Sequence, residues 1–138
     1  MNIIYNQDIA AITLNQLEGF FVGWKNRPDE ATLKQLLDKS DEVIVAVDSH
    51  SNKVVGFISA ITDGVLSAYI PFLEVLPEYQ KKGIGVELVQ RMLKTLESLY
   101  MVDIVCDEEL VPFYEKMGLK RHTAMIRRNF EHQSGEKL

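Results

Sequence analysis

The turn Gln80-Lys81-Lys82-Gly83-Ile84-Gly85 constrains this chain more than any other stretch. It follows an apolar run at 67–76 closed by Pro77, and it opens a segment in which Ile84, Leu88, Met92, Leu96 and Leu99 recur with the helical period. A strand therefore turns into a helix here. Two glycines two apart let the backbone approach a ligand with no Cβ in the way, and the first helical turn leaves free N–H groups at its positive dipole end. Such a turn is an anion cradle of a size to take a phosphate. Lys81 and Lys82 either add two cations at its mouth or are ordinary solvated lysines.

With 138 residues, 46% hydrophobic and 25% charged, the chain has the balance of one globular domain, 1–138, with a core of its own. The net charge of −5 and the lack of a long Lys/Arg run argue against nucleic acid as a partner. No stretch reaches the roughly 18 apolar residues of a membrane span, and the N-terminus has no basic region followed by an apolar signal core. A soluble cytoplasmic protein, monomer or homodimer, is expected. Cys106 has no second cysteine to pair with and sits in an apolar run. His50, His122 and His132 share no metal-site spacing, so no metal is expected. The polar tail 131–138 reads as frayed.

In chain order, residues 2–5 suit a short strand, and Ile9, Ile12, Leu17, Phe20, Phe21 and Trp24 give a helical pattern. Pro28, Asp29 and Glu30 mark the start of a second helix through Leu33, Leu36 and Leu37. β-Branched runs at 42–48 and 53–62, joined by Ser49-His50-Ser51-Asn52, read as an antiparallel hairpin. Asp63-Gly64 then turns the chain into a third meander strand over 65–76. The cradle helix, 83–100, leads to an apolar strand at 101–106, a right-handed parallel crossover. A short helix at 109–117 admits Pro112 in its first turn and stops at Gly118, and 120–129 is expected as a last strand.

Gln80-x-x-Gly83-x-Gly85 after Val75-Leu76-Pro77, with Phe113-Tyr114-Glu115-Lys116-Met117-Gly118-Leu119 about thirty residues on, resembles the acetyl-CoA signature of the GNAT (GCN5-related) N-acetyltransferase superfamily. The resemblance covers nearly the whole chain in element order. It implies a single-domain α/β (α+β) GNAT fold: a mixed central sheet, an antiparallel N-terminal meander, a parallel β-α-β crossover and helices on both faces. It also implies acetyl-CoA as cofactor, with CoA as product and no metal. The acetyl group would pass directly to a primary amine in a ternary complex, the acceptor being a small-molecule amine or a peptide or protein amine. The alternative is a CoA-binding sensor or scaffold that has lost catalysis. A nucleotide-binding regulator is disfavoured, because no Gly-x-x-x-x-Gly-Lys-Ser/Thr pattern is present.

The resemblance also assigns roles. The pantetheine arm would lie where the third meander strand splays from the 101–106 strand, opened by a bulge at Leu73-Glu74-Val75, and pair there with backbone. An N–H from that bulge would hold the oxyanion, a donor typically worth about 2.7–4 kcal/mol of barrier. Gln80, Lys81, Lys82, Gly83, Ile84, Gly85 and Val86 would take the phosphates, with Phe113 packing nearby. Tyr114 stands where the family carries its general acid, which would protonate a thiolate whose ordinary pKa is about 8.5. The family's Asn seven residues earlier is Asp107 here, which accepts hydrogen bonds but cannot donate when ionised. Tyr69 and Glu74 are the candidates for helping the acceptor ammonium lose its proton. The acceptor's walls are expected from the two N-terminal helices and their loop (Phe20, Phe21 and Trp24 to Asp29) and from the loop before the last strand, with Trp24 as packing or as wall.

Overall fold

The computed structural model describes residues 1–136. Five strands form one sheet in the order of the chain: β1 (Ile3–Asn6), β2 (Glu42–Asp48), β3 (Lys53–Thr62), β4 (Ser67–Val75) and β5 (Met101–Ile104). The first three junctions are antiparallel, and β4 pairs β5 in parallel. The helices are α1 (Glu30–Lys39), α2 (Ile84–Thr95) and the single turn α3 (Val111–Glu115). This is the mixed α/β sheet that the element order predicts.

β2 and β3 are buried along almost their whole length, because α2 covers one face and α1 with the segment before it covers the other. Gly56 shows why its side chain must be minimal: a Cβ there would lie 3.2 Å from Leu88 Cδ1 and 3.3 Å from the Glu74 carbonyl oxygen. On the opposite face Phe20 meets Phe57 edge-on at 5.2 Å between ring centroids. The Asp63 carboxylate fastens the β3–β4 turn, accepting from the N–H groups of Val65, Leu66 and Ser67 at 2.7–3.1 Å and from Ser67 Oγ at 2.7 Å. Those bonds hold its pKa far below the usual carboxylate range. The second predicted helix starts where Pro28 and Asp29 place it, with the Asp29 side chain accepting from Thr32 N at 2.8 Å.

Four expectations are corrected. The periodic stretch through Ile9 to Trp24 is not a helix; only Leu14–Leu17 makes a 3-10 turn. Gly19, Phe21 and Gly23 all take positive φ, so the chain coils while still burying Leu17, Phe20 and Phe21. α2 ends at Thr95 rather than 100, where Thr95 Oγ1 bonds back to the Arg91 carbonyl. The last predicted strand, 120–129, has no pairing partner among the described residues and runs as an exposed arm. The tail is not frayed through its described part: Phe130–His132 forms a 3-10 turn tied to the body by Asn26 N to Gln133 Oε1 at 3.0 Å and Asn26 Nδ2 to the Phe130 carbonyl at 3.4 Å. Residues 137–138 lie outside the described residues.

Candidate active site

The pairing of β4 creates the site. β5 accompanies β4 only from Ser67 to Ile70, and β4 then runs on to Val75 without it. The register against β3 shifts at the same point, so that Ile70 and Pro71 together oppose Ala60. The bulge therefore falls at Ile70-Pro71, three residues before the expected Leu73-Glu74-Val75. Proline explains the position, since it has no N–H for the ladder and sits in sheets at bulges and edges.

Leu76 N donates to the Val55 carbonyl across the sheet at 2.8 Å. By strand alternation, the N–H and C=O groups of Leu73 and Val75 turn the other way, toward the side β5 has left. Gln80 Nε2 closes that row by donating to the Val75 carbonyl at 3.0 Å. The side chain of Gln80 is thus a brace at the end of the splayed edge.

The cradle follows. Pro77–Tyr79 forms a 3-10 turn, Lys81 has φ +61°, and Gly83 caps α2 at φ +86°. A Cβ on Gly83 would meet nothing within 4 Å, so glycine is required there by conformation rather than by crowding. Among the described residues, the N–H groups of Lys81 through Val86 find no acceptor in the protein; the first amide to do so is Glu87, to the Gly83 carbonyl at 3.1 Å. Six consecutive donors thus stand unengaged at and just before the positive end of a twelve-residue helix.

The turn that presents them is anchored from below. Tyr79 donates its hydroxyl to the buried Asp48 carboxylate at 2.7 Å, and Asp48 also accepts from His50 N at 3.0 Å. The Tyr79 bond is the main reason the Asp48 pKa falls and the Tyr79 pKa rises. Lys82 Nζ stands 5.9 Å from the centroid of the Tyr79 ring. No spacing in the sequence announces this pair across 31 positions.

Phe113 closes the side wall of the cradle, its Cζ 3.6 Å from where a Gly85 Cβ would be, with Val75 Cγ2 at 3.8 Å. Tyr114 packs edge-on against it at 4.9 Å and is 8% exposed. Burial, helped by the nearby Cys106, pushes the Tyr114 phenol up to about 12. Burial also raises the Cys106 thiol, with the Asp107 carboxylate adding to it.

In front of the splay lies a cleft of about 990 Å³. Tyr69, Leu73, Glu74, Gln80 and Asp107 all line it, so five predicted site residues share one cavity. Phe113 and Tyr114 do not line it: Phe113 borders the cradle at Gly85, and Tyr114 packs on Phe113. Glu74 is not a solvated carboxylate: it accepts from Phe21 N at 2.8 Å and Val22 N at 3.3 Å. It thereby holds Phe21, at φ +61°, in a conformation that few non-glycine residues adopt. The held loop builds an aromatic wall, with Phe21 4.8 Å from Trp24 and 6.1 Å from Phe72 and Trp24 6.5 Å from Phe72. Trp24 is both packed and exposed to the cleft. Phe72, Arg128 and Phe130 also line it and escaped the sequence reading, since they come together only through the fold.

A sheet splayed at a bulge, a donor-rich cradle at the next helix and a phenol on the third helix define the GNAT class of acyltransferase. The profile described as Acetyltransferase (GNAT) family matches residues 9–119, and the chain belongs to that family. It is similar to a Deinococcus radiodurans R1 chain assigned as an acetyltransferase, with 42% identity, TM-score 0.94, and coverage of 99% of this chain and 94% of that one. A GNAT family acetyltransferase of Streptococcus pneumoniae TIGR4 is 31% identical with TM-score 0.71, covering 93% and 97%. An uncharacterized N-acetyltransferase of Porphyra purpurea is 26% identical over 83% of this chain and 69% of its own length. Among the described residues no helix is long and apolar enough to cross a membrane, and no group of three His, Cys, Asp or Glu side chains is placed to hold a metal ion.

Proposed function

We propose that this chain transfers an acetyl group from acetyl-CoA to a primary amine by direct attack within a ternary complex. The observation that carries the reading is the run of six unengaged amides, 81–86, at the end of a strand edge that has lost its neighbour. The diphosphate of the cofactor fits those donors, with Lys81 and Lys82 at the mouth, and the pantetheine amides fit the outward N–H and C=O of Leu73 and the N–H of Val75, whose carbonyl Gln80 already engages. Phe113 would pack beside the arm, and Asp107 at the cleft wall would reach it through water. When bound, the cofactor supplies an activated acyl group on sulfur.

The chain's own groups do the rest. The outward N–H at Leu73, just past the bulge, stabilises negative charge on the thioester oxygen. The Tyr114 phenol, protonated up to about pH 12, holds a proton ready for the departing sulfur. Glu74 has lone pairs left after its two backbone bonds, and with the Tyr69 hydroxyl it would hold the water that takes the ammonium proton. The aromatic wall of Phe21, Trp24 and Phe72 suits the body of the amine and attracts its cationic form. Retention of Tyr114 beside an intact cradle favours an enzyme over a CoA-binding scaffold. Release of free CoA from acetyl-CoA across a panel of small amines and lysine peptides tests the reading. Acceptor-dependent release supports it, and cofactor binding with no release for any amine would favour the scaffold.

A further inference from the structure

The polar side chains of the cleft divide by what they already hold. Four are spent on the protein's own backbone. Glu74 accepts from Phe21 N and Val22 N, Gln80 donates to the Val75 carbonyl, Asn129 Oδ1 accepts from Glu131 N at 3.2 Å, and Gln133 Oε1 accepts from Asn26 N. Among the described residues nothing bonds the Tyr69 hydroxyl or the Asp107 carboxylate, and both have places in the transfer proposed above. Arg128 has none. Its Nη1 reaches only the neighbouring Arg127 carbonyl, at 3.3 Å, and among the described residues it forms no ion pair although Glu74 and Asp107 line the same cleft.

Arg128 stands on the amine's side of the cleft. Asn26, two residues from Trp24, donates its Nδ2 to the Phe130 carbonyl at 3.4 Å and its N–H to Gln133, so the rim that carries Arg128 is tied to the loop that carries the aromatic wall. Residues 81–86 do not line the cleft, which leaves the cofactor's phosphates at the cradle and away from this arginine. Among the described residues Arg128 is the one cation in the lining.

A guanidinium offers a planar fork of donors that matches a carboxylate. A phosphate, with three acceptor oxygens and nearly two charges, needs more donors than one arginine supplies. The same cation repels a second ammonium, so it discriminates against diamines as well as favouring an anion. Phe21, Trp24, Phe72 and Phe130 meanwhile ask for an apolar or aromatic body.

We infer that Arg128 selects the acceptor, and that the acceptor is a small amino carboxylate: a primary amine on an aromatic or bulky apolar body whose carboxylate pairs with the Arg128 guanidinium. The inference rests on the acetyl-transfer reading for the fate of the amine.

Two matched pairs test it, phenylalanine against phenethylamine and 4-(aminomethyl)benzoate against benzylamine. CoA release gives the kcat/KM ratio within each pair, and calorimetric titration into CoA-saturated protein gives the binding ratio without turnover. In at least one pair the carboxylate member should be favoured about tenfold or more, chiefly through KM. Arg128→Gln should bring that ratio close to one, Arg128→Lys should keep part of it, and Arg128→Glu should reverse it. Arg127→Gln, an exposed neighbour outside the cleft, should leave the ratio as it is. Equal ratios in both pairs, a preference that survives Arg128→Gln or falls equally in Arg127→Gln, or binding of none of the four compounds overturns the inference. A carboxylate preference in binding that vanishes with Arg128, without CoA release from any of the four, would uphold the Arg128 contact and set aside the acetyl-transfer reading instead.

Discussion

Tyr114→Phe removes one oxygen and leaves the ring. Among the described residues no hydrogen bond engages the phenol oxygen, and burial is the main cause of its high pKa. Its loss therefore strands no buried donor, and stability should change by less than about 1 kcal/mol. The ring keeps its edge-on contact with Phe113. If the hydroxyl protonates the departing sulfur, kcat should fall about 10²-fold, or roughly 2.7 kcal/mol of barrier at about 1.36 kcal/mol per decade. The fall should appear equally in kcat/KM, while the acetyl-CoA dissociation constant stays put. The pH dependence has a definite sign. Tyr114 stays protonated up to about 12, so it is a competent acid throughout an assay range below that. The leaving thiol, near about 8.5, needs the proton most below that value, so the gap between parent and variant should narrow as pH rises past it. Steady-state rates of CoA release from pH 6 upward, paired with thermal melts, give both readouts. A variant with parental kcat and a lowered melting temperature, or a rate ratio flat in pH, would refute the acid role.

Gly83→Glu should abolish the rise in melting temperature caused by CoA, while Gly83→Ala, which meets the same φ of +86° but adds only a methyl in open space, should retain a weakened rise. Each should lower the unliganded stability by about 1–2 kcal/mol for a left-handed L-residue. An undiminished rise in the Glu variant would remove the phosphates from the cradle. Replacing Lys81 and Lys82 by Ala should weaken CoA binding more at low than at high salt in calorimetric titrations, and equal losses at both would count against a charge role. Glu74→Ala frees the N–H of buried Phe21 and should cost about 1–3 kcal/mol in chemical denaturation and raise the KM for the amine. Glu74→Gln, which keeps one acceptor, should lose less stability than Ala, and equal stability of all three proteins would show that the carboxylate does not hold the loop.

The hairpin of β2 and β3 was legible because each run is β-branched and bounded by turn formers, which leaves strand pairing as its only good use. The cradle was legible for a different reason: its two glycines, a proline and the helical period lie within a few residues, so local chemistry decides the conformation. What stayed hidden was non-local. The apolar spacing from Ile9 to Trp24 is equally satisfied by a coil when Gly19, Phe21 and Gly23 take positive φ and Glu74, some fifty positions on, accepts the loose amides. The strand expected at 120–129 has the residues of a strand, but a ladder also needs a neighbour, and among the described residues none pairs with it. Asp107 and Glu74 were found as candidates from their place in the chain, yet only the fold shows that one lines a cleft freely while the other is fastened to two amides.

The central claim is that the amides of residues 81–86 receive the cofactor's phosphates. Titration of isotopically labelled protein with CoA, followed by amide proton and nitrogen chemical shifts, reads those six groups one by one. The predicted result is large downfield proton shifts across 81–86 that saturate together with smaller changes at Leu73 and Val75. Saturable binding that leaves 81–86 unmoved and perturbs another part of the molecule would contradict it.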